Sequence, residues 1–275
     1  MGIEAGLDLL ACPRCGSGLD LVAAGAGRAL ACASGHSFDV ARQGYVNLLG
    51  GPEPGNADTP AMLAARERVH ASGLFEPVAA EVVAQLVGRP RVLEVGAGTA
   101  YYLARAIGDD DAGVGIALDV SKAAARVAAR ADRRITAVVA DVWSPLPVAS
   151  HCLDAVLCVF APRNLAEFAR VLRPDGRLVV VTPRPEHLAG LRDRHGLLEV
   201  PAGKADQLAA AAAEFFEPTA NSGLVRAVDV DAELAADVIA MGPNAFHRVP
   251  DDVAAGSVVV AVTIQVFRPL APTVA

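Results

Sequence analysis

The chain has 275 residues, 53% of them hydrophobic, 20% charged and 4% aromatic, and a net charge of −7. That length suits one large or two modest domains, and the apolar content, though inflated by alanine, is enough for a sizeable core. The acidic balance excludes indiscriminate nucleic-acid binding, which needs a basic surface, so any RNA contact has to come from a local patch.

No apolar run reaches the ~18 residues that a membrane span needs. The β-branched stretch VVVAVTIQVF near the C-terminus reads as a buried strand instead. There is no basic n-region followed by an apolar h-region, so no signal peptide is expected. The odd, unevenly spaced set of 5 cysteines is unlike a disulfide scaffold, and a cytoplasmic location is expected. Arg66, Arg68, Arg89, Arg91, Arg133, Arg134, Arg163, Arg192 and Arg194 are the available basic clusters, and most read as solvated surface.

Residues 1–50 carry the first chemical signal. Cys12-Pro13-Arg14-Cys15 is followed by Cys32-Ala33-Ser34-Gly35-His36, a C-x2-C-x16-C-x3-H spacing. Tetrahedral zinc takes four thiolate or imidazole ligands, and two close pairs on turns provide them. Gly16 and Gly35 allow the tight backbone of such knuckles, and the chain between the pairs reads as a hairpin around Gly25 and Gly27. The segment has few large apolar residues, so metal has to anchor it. Four protein ligands leave no open position, which makes the expected site structural.

The Gly/Pro-rich stretch GGPEPGNAD, residues 50–58, reads as a linker and the domain boundary. Residues 60–87 read as helical, broken in two at Pro77. Then Arg91-Val92-Leu93-Glu94-Val95-Gly96-Ala97-Gly98-Thr99 reads as strand, tight turn and the start of a helix over 101–107. Glycines let the backbone turn sharply and let a ligand come close, and the helix that follows offers free N–H groups. A dinucleotide fingerprint would place a third glycine where Tyr101 stands, so that motif is incomplete. The Glu94-x-Gly96-x-Gly98 pattern instead resembles motif I of class I S-adenosylmethionine (SAM) methyltransferases, whose acid orients the loop near the methionine ammonium. Taken alone, it also suits an ordinary βα turn.

The next strands strengthen that reading. GVGIALDV ends near Asp119, 21 residues after Gly98, where a carboxylate can accept two ribose hydroxyls. ITAVVAD ends at Asp141, followed by Val142, where the adenine edge is expected; both acids also suit helix capping. Ser121 is the expected N-cap of a helix over 121–130. Residues 153–160 read as a fully apolar central strand, with Cys158 and the preceding Cys152 as small buried hydrophobes. The loop after it, Ala161-Pro162-Arg163-Asn164, has neither the D/N-P-P-aromatic motif of exocyclic amino methylation nor the Pro-Cys of pyrimidine C5 chemistry. A helix over 165–172 and a strand over 177–182 follow, then His187, which by itself reads as a satisfied or surface histidine. A helix over 203–216, strands over 219–229 and 257–267, and a helix over 232–240 complete a seven-stranded sheet. The Gly-Pro loop MGPNAFH, 241–247, is a candidate wall for the acceptor pocket.

With the zinc pattern in front of it, the segment FDVARQGYVNLL, 38–49, resembles the large-subunit ribosomal RNA guanine-N1 methyltransferases, including their macrolide-resistance members. The resemblance continues through DTPAMLAARERVHASGLFEPVAAEV, ALDVSKAAARVAAR, VADVWSPLPV, DAVLCVFAPRN, EFARVLRPDGRLVVVTPRPEHL and MGPNAFH, nearly the full length. It implies a class I, Rossmann-like seven-stranded methyltransferase domain over 89–275, a zinc-binding RNA-recognition domain over 1–50, and linking helices over 51–88. It implies SAM and structural Zn2+ as cofactors, a hairpin loop of large-subunit ribosomal RNA as substrate, and a homodimer. Cys12, Cys15, Cys32 and His36 would hold zinc. Glu94, Gly96, Ala97, Gly98, Thr99, Ala100, Tyr101, Asp119, Asp141 and Val142 would line the SAM site, with Phe75 and His187 against the cofactor. Relatives can carry tyrosine at the position of Phe75, so a hydroxyl contact is missing here.

Methyl transfer from a sulfonium is an in-line displacement, in which positioning contributes up to ~10 kcal/mol. Guanine N1 carries a proton that a base or ordered water must take. His247, Asn164 and His187 are candidates, and the sequence selects none of them. A base in a stem would have to be extruded, so a loop is the easier substrate. The three Arg against six Asp/Glu over residues 1–60 fit RNA binding by the zinc domain poorly. Two other readings therefore stand beside the first: a small-molecule methyltransferase with a zinc lid, and a non-catalytic zinc-ribbon binding module.

Overall fold

The computed structural model describes residues 2–86, 88, 90–108, 112–246, 250 and 252–271. Two short hairpin-like pairs come first: β1 (Asp20–Ala24) with β2 (Gly27–Ala31), then β3 (Ser37–Val40) with β4 (Tyr45–Asn47). The helices α1 (Pro60–Ala71) and α2 (Glu76–Ala84) follow. Next come β5 (Arg91–Val95), α3 (Tyr101–Ala106), β6 (Val114–Asp119), α4 (Lys122–Ala131), β7 (Ile135–Val139), β8 (Leu153–Val159) and α5 (Leu165–Val171). The chain ends in β9 (Leu172–Pro183), α6 (Ala189–His195), α7 (Lys204–Ala212), β10 (Phe216–Val230), α8 (Ala232–Ala240) and β11 (Gly256–Pro269).

Among the described residues the strands form one sheet in the order β1-β2-β3-β4-β7-β6-β5-β8-β9-β11-β10. The seven expected strands are its right-hand part: β7, β6, β5, β8 and β9 run parallel, and β11 lies antiparallel between β9 and β10. The N-terminal strands extend this sheet: β4 pairs in parallel with β7, Tyr45 opposite Ala137 and Asn47 opposite Val139. Residues before β1 are tied to the same sheet. The Gly6 N–H donates to Thr136 Oγ1 at 3.0 Å, and that hydroxyl donates to the Gly2 carbonyl at 2.7 Å.

Side chains alternate across the sheet with the period of two that a pleated strand imposes. Ala155, Leu157 and Val159 of β8 join one core with Phe75 at the start of α2 and with Leu103, Ala125 and Val238 of the helices on that face. Val156 and Cys158 join the other, with Ile3, Leu30, Phe168 and Leu208. Buried on both faces, the central strands read as apolar runs. Cys158 is one of these core atoms, and burial pushes its thiol up to about 12.

Two expectations are revised. The helical stretch over 60–87 does divide, but at Gly73, whose φ is +78°, not at Pro77. Pro77 instead sits in the first turn of α2, where its missing N–H costs nothing. The basic clusters are also less solvated than expected. Arg192 is buried, Arg66, Arg91 and Arg134 are half-buried, and Arg68 forms a two-toothed pair with Asp237 at 2.7 and 2.5 Å that fastens α1 to α8. Arg89 lies outside the described residues.

Candidate active site and metal centre

Cys12 and Cys15 sit on the first knuckle and Cys32 and His36 on the second, and their ligand atoms all lie within 4.8 Å of one another. Cys15 Sγ is 3.7 Å from Cys32 Sγ; His36 Nδ1 is 3.5 Å from Cys12 Sγ and 3.4 Å from Cys32 Sγ. A tetrahedron with Zn–S bonds of about 2.3 Å has edges of about 3.8 Å, slightly less where nitrogen replaces sulfur. The donor set and its spacing therefore fit zinc, with four protein ligands and no open position. Gly16 and Gly35, at φ +73° and +82°, turn the knuckles where a side chain would be strained.

At the carboxyl edge of the sheet, β5 runs into a turn whose Gly96, Gly98 and Ala100 all have positive φ, +62°, +53° and +57°. Glu94, 2% exposed, accepts the Leu103 N–H at 3.0 Å, so the acid ties the strand to α3. Burial raises its carboxyl to about 8, the amide of Leu103 pulling the other way. Asp119 ends β6, 9% exposed. Its Oδ2 accepts the Gly98 N–H at 2.9 Å and its Oδ1 accepts the Ser121 N–H at 2.8 Å. Each oxygen keeps a further lone pair, the acceptor pattern that a pair of ribose hydroxyls needs. Burial raises its carboxyl above the ordinary range as well. Ser121 caps α4 as expected, accepting from the Ala123 and Ala124 N–H groups. The buried acids around a glycine turn fit a cationic, hydroxyl-bearing ligand such as SAM.

Asp141 follows β7, its Oδ1 accepting the Trp143 N–H at 3.0 Å, and Val142 is buried beside it. Asn164 Nδ2 donates to the Val142 carbonyl at 2.9 Å while its Oδ1 accepts the Glu167 N–H, so this side chain braces two loops and caps α5. His187 Nδ1 accepts the Ala261 N–H at 3.2 Å, and burial lowers the imidazole to about 4. It is neutral at pH 7 and a weak base. The third candidate base, His247, lies outside the described residues. Tyr101 directs its hydroxyl to Glu76 at 2.8 Å, and its ring stacks on His70. Thr99 is held by His70 Nδ1 at 3.2 Å. Phe75, buried in the core, lies edge-on to Phe160 at 6.1 Å and 6.1 Å from the His187 ring.

Three contributions escaped sequence reading. Arg66 of α1 donates to Asp58 at 2.5 Å and to the Met241 carbonyl at 2.6 Å, and a Cβ on Gly98 would lie 2.5 Å from its Nη1. Its guanidinium therefore covers the glycine turn. His70 lies on the same helix face, four residues on, and that i,i+4 spacing was the available signal. Phe160, at φ +55°, stacks on His187 at 5.5 Å; nothing in the sequence marks it.

The turn yields a prediction. A Cβ on Gly96 would meet Ala161 Cβ at 2.7 Å, and the φ of +62° adds left-handed strain. Gly96→Ala should lower stability by about 1–3 kcal/mol. Adding Ala161→Gly should recover part of the loss in thermal melts. Equal melting of Gly96→Ala and the parent would contradict the contact.

Comparison with known proteins places these features. Residues 10–51 match the family model described as "RlmA, N-terminal", a zinc ribbon, and residues 92–176 match one described as "Methyltransferase domain". The 23S rRNA (guanine(748)-N(1))-methyltransferase of Streptomyces fradiae is 41% identical over 95% of this chain and 97% of its own. A Micromonospora griseorubida protein with the provisional name 23S rRNA (guanine-N(1)-)-methyltransferase is 42% identical over the same shares, 95% and 97%. The fold is similar to a chain in the solved complex of the Haloferax volcanii Trm112 methyltransferase activator with a provisionally named methyltransferase, at TM-score 0.50, 17% identity, 74% of this chain and 93% of that one. With a zinc-ribbon cluster and a class I SAM-dependent methyltransferase sheet in one chain, and such relatives matched over nearly all of it, this protein belongs to the 23S rRNA (guanine-N1)-methyltransferase family.

Proposed function

We propose that this chain transfers a methyl group from SAM to N1 of a guanine in a hairpin loop of large-subunit ribosomal RNA. The observation that supports this most is the completeness of both family modules on one sheet: a Cys3His cluster before β1 and between β2 and β3, and a glycine turn with buried Glu94 and Asp119 at the carboxyl edge. When bound, SAM supplies the methyl on a sulfonium. The chain's own residues bind, orient and shield.

In this reading residues 94–101 cradle the amino-acid end, Asp119 takes the ribose hydroxyls, and Asp141 and Val142 flank the adenine. Phe75 and His187 wall the cofactor from the core side. A cation beside Glu94 would draw its carboxyl back toward the ionised form. We assign residues 1–50 to zinc binding and RNA recognition, 51–88 to the connection and 89–275 to methyl transfer. We further read the protein as a cytoplasmic homodimer whose product protects the large subunit from macrolides; among the described residues no helix is long and apolar enough to cross a membrane.

The test is incubation with methyl-labelled SAM and protein-free large-subunit rRNA from a host lacking this modification, followed by nucleoside mass spectrometry. Label in 1-methylguanosine at one site is expected. Label in another nucleoside would discard the N1 assignment. An unlabelled RNA with SAM binding intact would discard the RNA substrate.

A further inference from the structure

Among the described residues three aromatic rings are exposed: Trp143 at 66%, and Phe160 and Phe246 at 42% each. Phe160 is the most unusual of them. It follows β8 directly and holds φ +55°, a conformation that costs a bulky L-residue on the order of 1–2 kcal/mol. The surroundings enforce it. The Phe160 N–H donates to the Val181 carbonyl at 3.1 Å, and the Cys158 thiol donates to the Ala161 carbonyl at 3.3 Å. The ring is backed by His187, stacked at 5.5 Å and 29°, and by the edge of Phe75 at 6.1 Å.

Position adds to this. β5 and β8 are neighbours, with Val95 opposite Cys158, so the loops that leave them abut. A Cβ on Gly96 would lie 2.7 Å from Ala161 Cβ. Phe160 therefore stands beside the cofactor turn, rigidly backed and partly open to solvent. Three residues on in the same loop, Arg163 makes no hydrogen bond or ion pair with the described residues. A core role would bury the ring, and a solvated loop would require neither an aromatic nor a left-handed phenylalanine. A fixed aromatic face with a half-buried arginine three residues on in the same loop matches the chemistry of an unpaired nucleotide: a π-face for the base and a cation for the phosphate.

We propose that Phe160 is the stacking platform for the flipped-out target guanine and that Arg163 takes a phosphate of the same RNA segment. This rests on the rRNA methyltransferase reading. The mechanical consequence is that backing by His187 and Phe75 fixes the plane of the ring, and so fixes the base relative to the methyl donor; Phe160 and Arg163 position the acceptor and move no proton.

The experiment compares wild type, Phe160→Leu, Phe160→Tyr and Arg163→Gln on the same protein-free large-subunit rRNA, with SAM affinity measured by calorimetry. Phe160→Leu is expected to lose about tenfold to a hundredfold in single-turnover methylation, as for loss of one base–aromatic stack, with SAM affinity within twofold. Phe160→Tyr should restore methylation to within about threefold. Arg163→Gln should weaken RNA binding and flatten its salt dependence by roughly 0.7 in logarithmic slope, the share of one phosphate on a single strand. Equal activity of Phe160→Leu and wild type, or an equal loss in Phe160→Tyr, would overturn the platform; a parallel loss of SAM affinity would make Phe160 a cofactor wall instead. An unchanged salt slope in Arg163→Gln would remove the phosphate contact. If wild type itself puts no label into the RNA, the functional reading fails and the platform with it; if wild type labels and Phe160→Leu labels equally, the platform alone fails.

Discussion

Asp119→Ala is expected to weaken SAM binding about tenfold to a hundredfold. Asp119, the proposed acceptor of the ribose hydroxyls, also serves the fold. One oxygen holds the Gly98 N–H at 2.9 Å and the other the Ser121 N–H at 2.8 Å, so the carboxylate fixes both the glycine turn and the start of α4. Truncation removes the charged acceptor offered to the ribose, worth roughly 1.5–3 kcal/mol for a hydrogen bond to a charged group. It also leaves two buried N–H donors without their partner, which lowers the melting temperature of the free protein. Asp119→Asn separates these effects. The amide keeps the volume and one acceptor oxygen but turns an NH2 toward one of the two donors, so it should lose most of the affinity with less damage to the fold. Calorimetry that finds either variant within twofold of the parent would remove Asp119 from the cofactor site.

Loss of zinc should have the second large effect. Structural zinc sites contribute on the order of 10 kcal/mol in isolated finger peptides, because the ligands are brought together only in the folded state. Here the need for metal is visible in the packing: β1 has no buried residue, and β2 buries just Ala29 and Leu30. Cys12→Ser or Cys32→Ser should purify with zinc well below one equivalent and melt in a separate, earlier step. SAM affinity should stay within about threefold, because the glycine turn and Asp119 belong to β5 and β6, which β4 and β7 separate in the sheet from the strands that flank the cluster. Methylation of rRNA should be lost. Zinc content equal to the parent by elemental analysis would refute the ligand set.

Much of the candidate site was legible because its chemistry is written in short spacings. Knuckle ligands that share a metal lie within a few residues of one another, here as C-x2-C and C-x3-H, and a strand that is to present an acid to a ribose must end in that acid. Ser121 was readable as a cap because capping is a contact over two or three residues. The central strands were readable because burial on both faces leaves no polar period in them. Pro77 misled because proline both breaks helices and starts them, and which of the two it does depends on the neighbouring chain; Gly73, with its φ of +78°, made the break.

The sequence by itself determined the two cofactor chemistries, the order of the helices and strands from β5 to β9, and the acids at the ends of β5, β6 and β7. All of these depend on neighbours within a few positions. Tertiary structure decided the rest. Tyr45 reaches Ala137 to make β4 part of the methyltransferase sheet. Arg66 leaves the solvent to cover Gly98 while held by Asp58 and Met241. Phe160 is turned outward beside the cofactor turn with His187 behind it. Each joins residues far apart in the chain, and a contact of that kind leaves no period, cap or spacing in the sequence; its partner is chosen by the packing of the whole sheet and its helices.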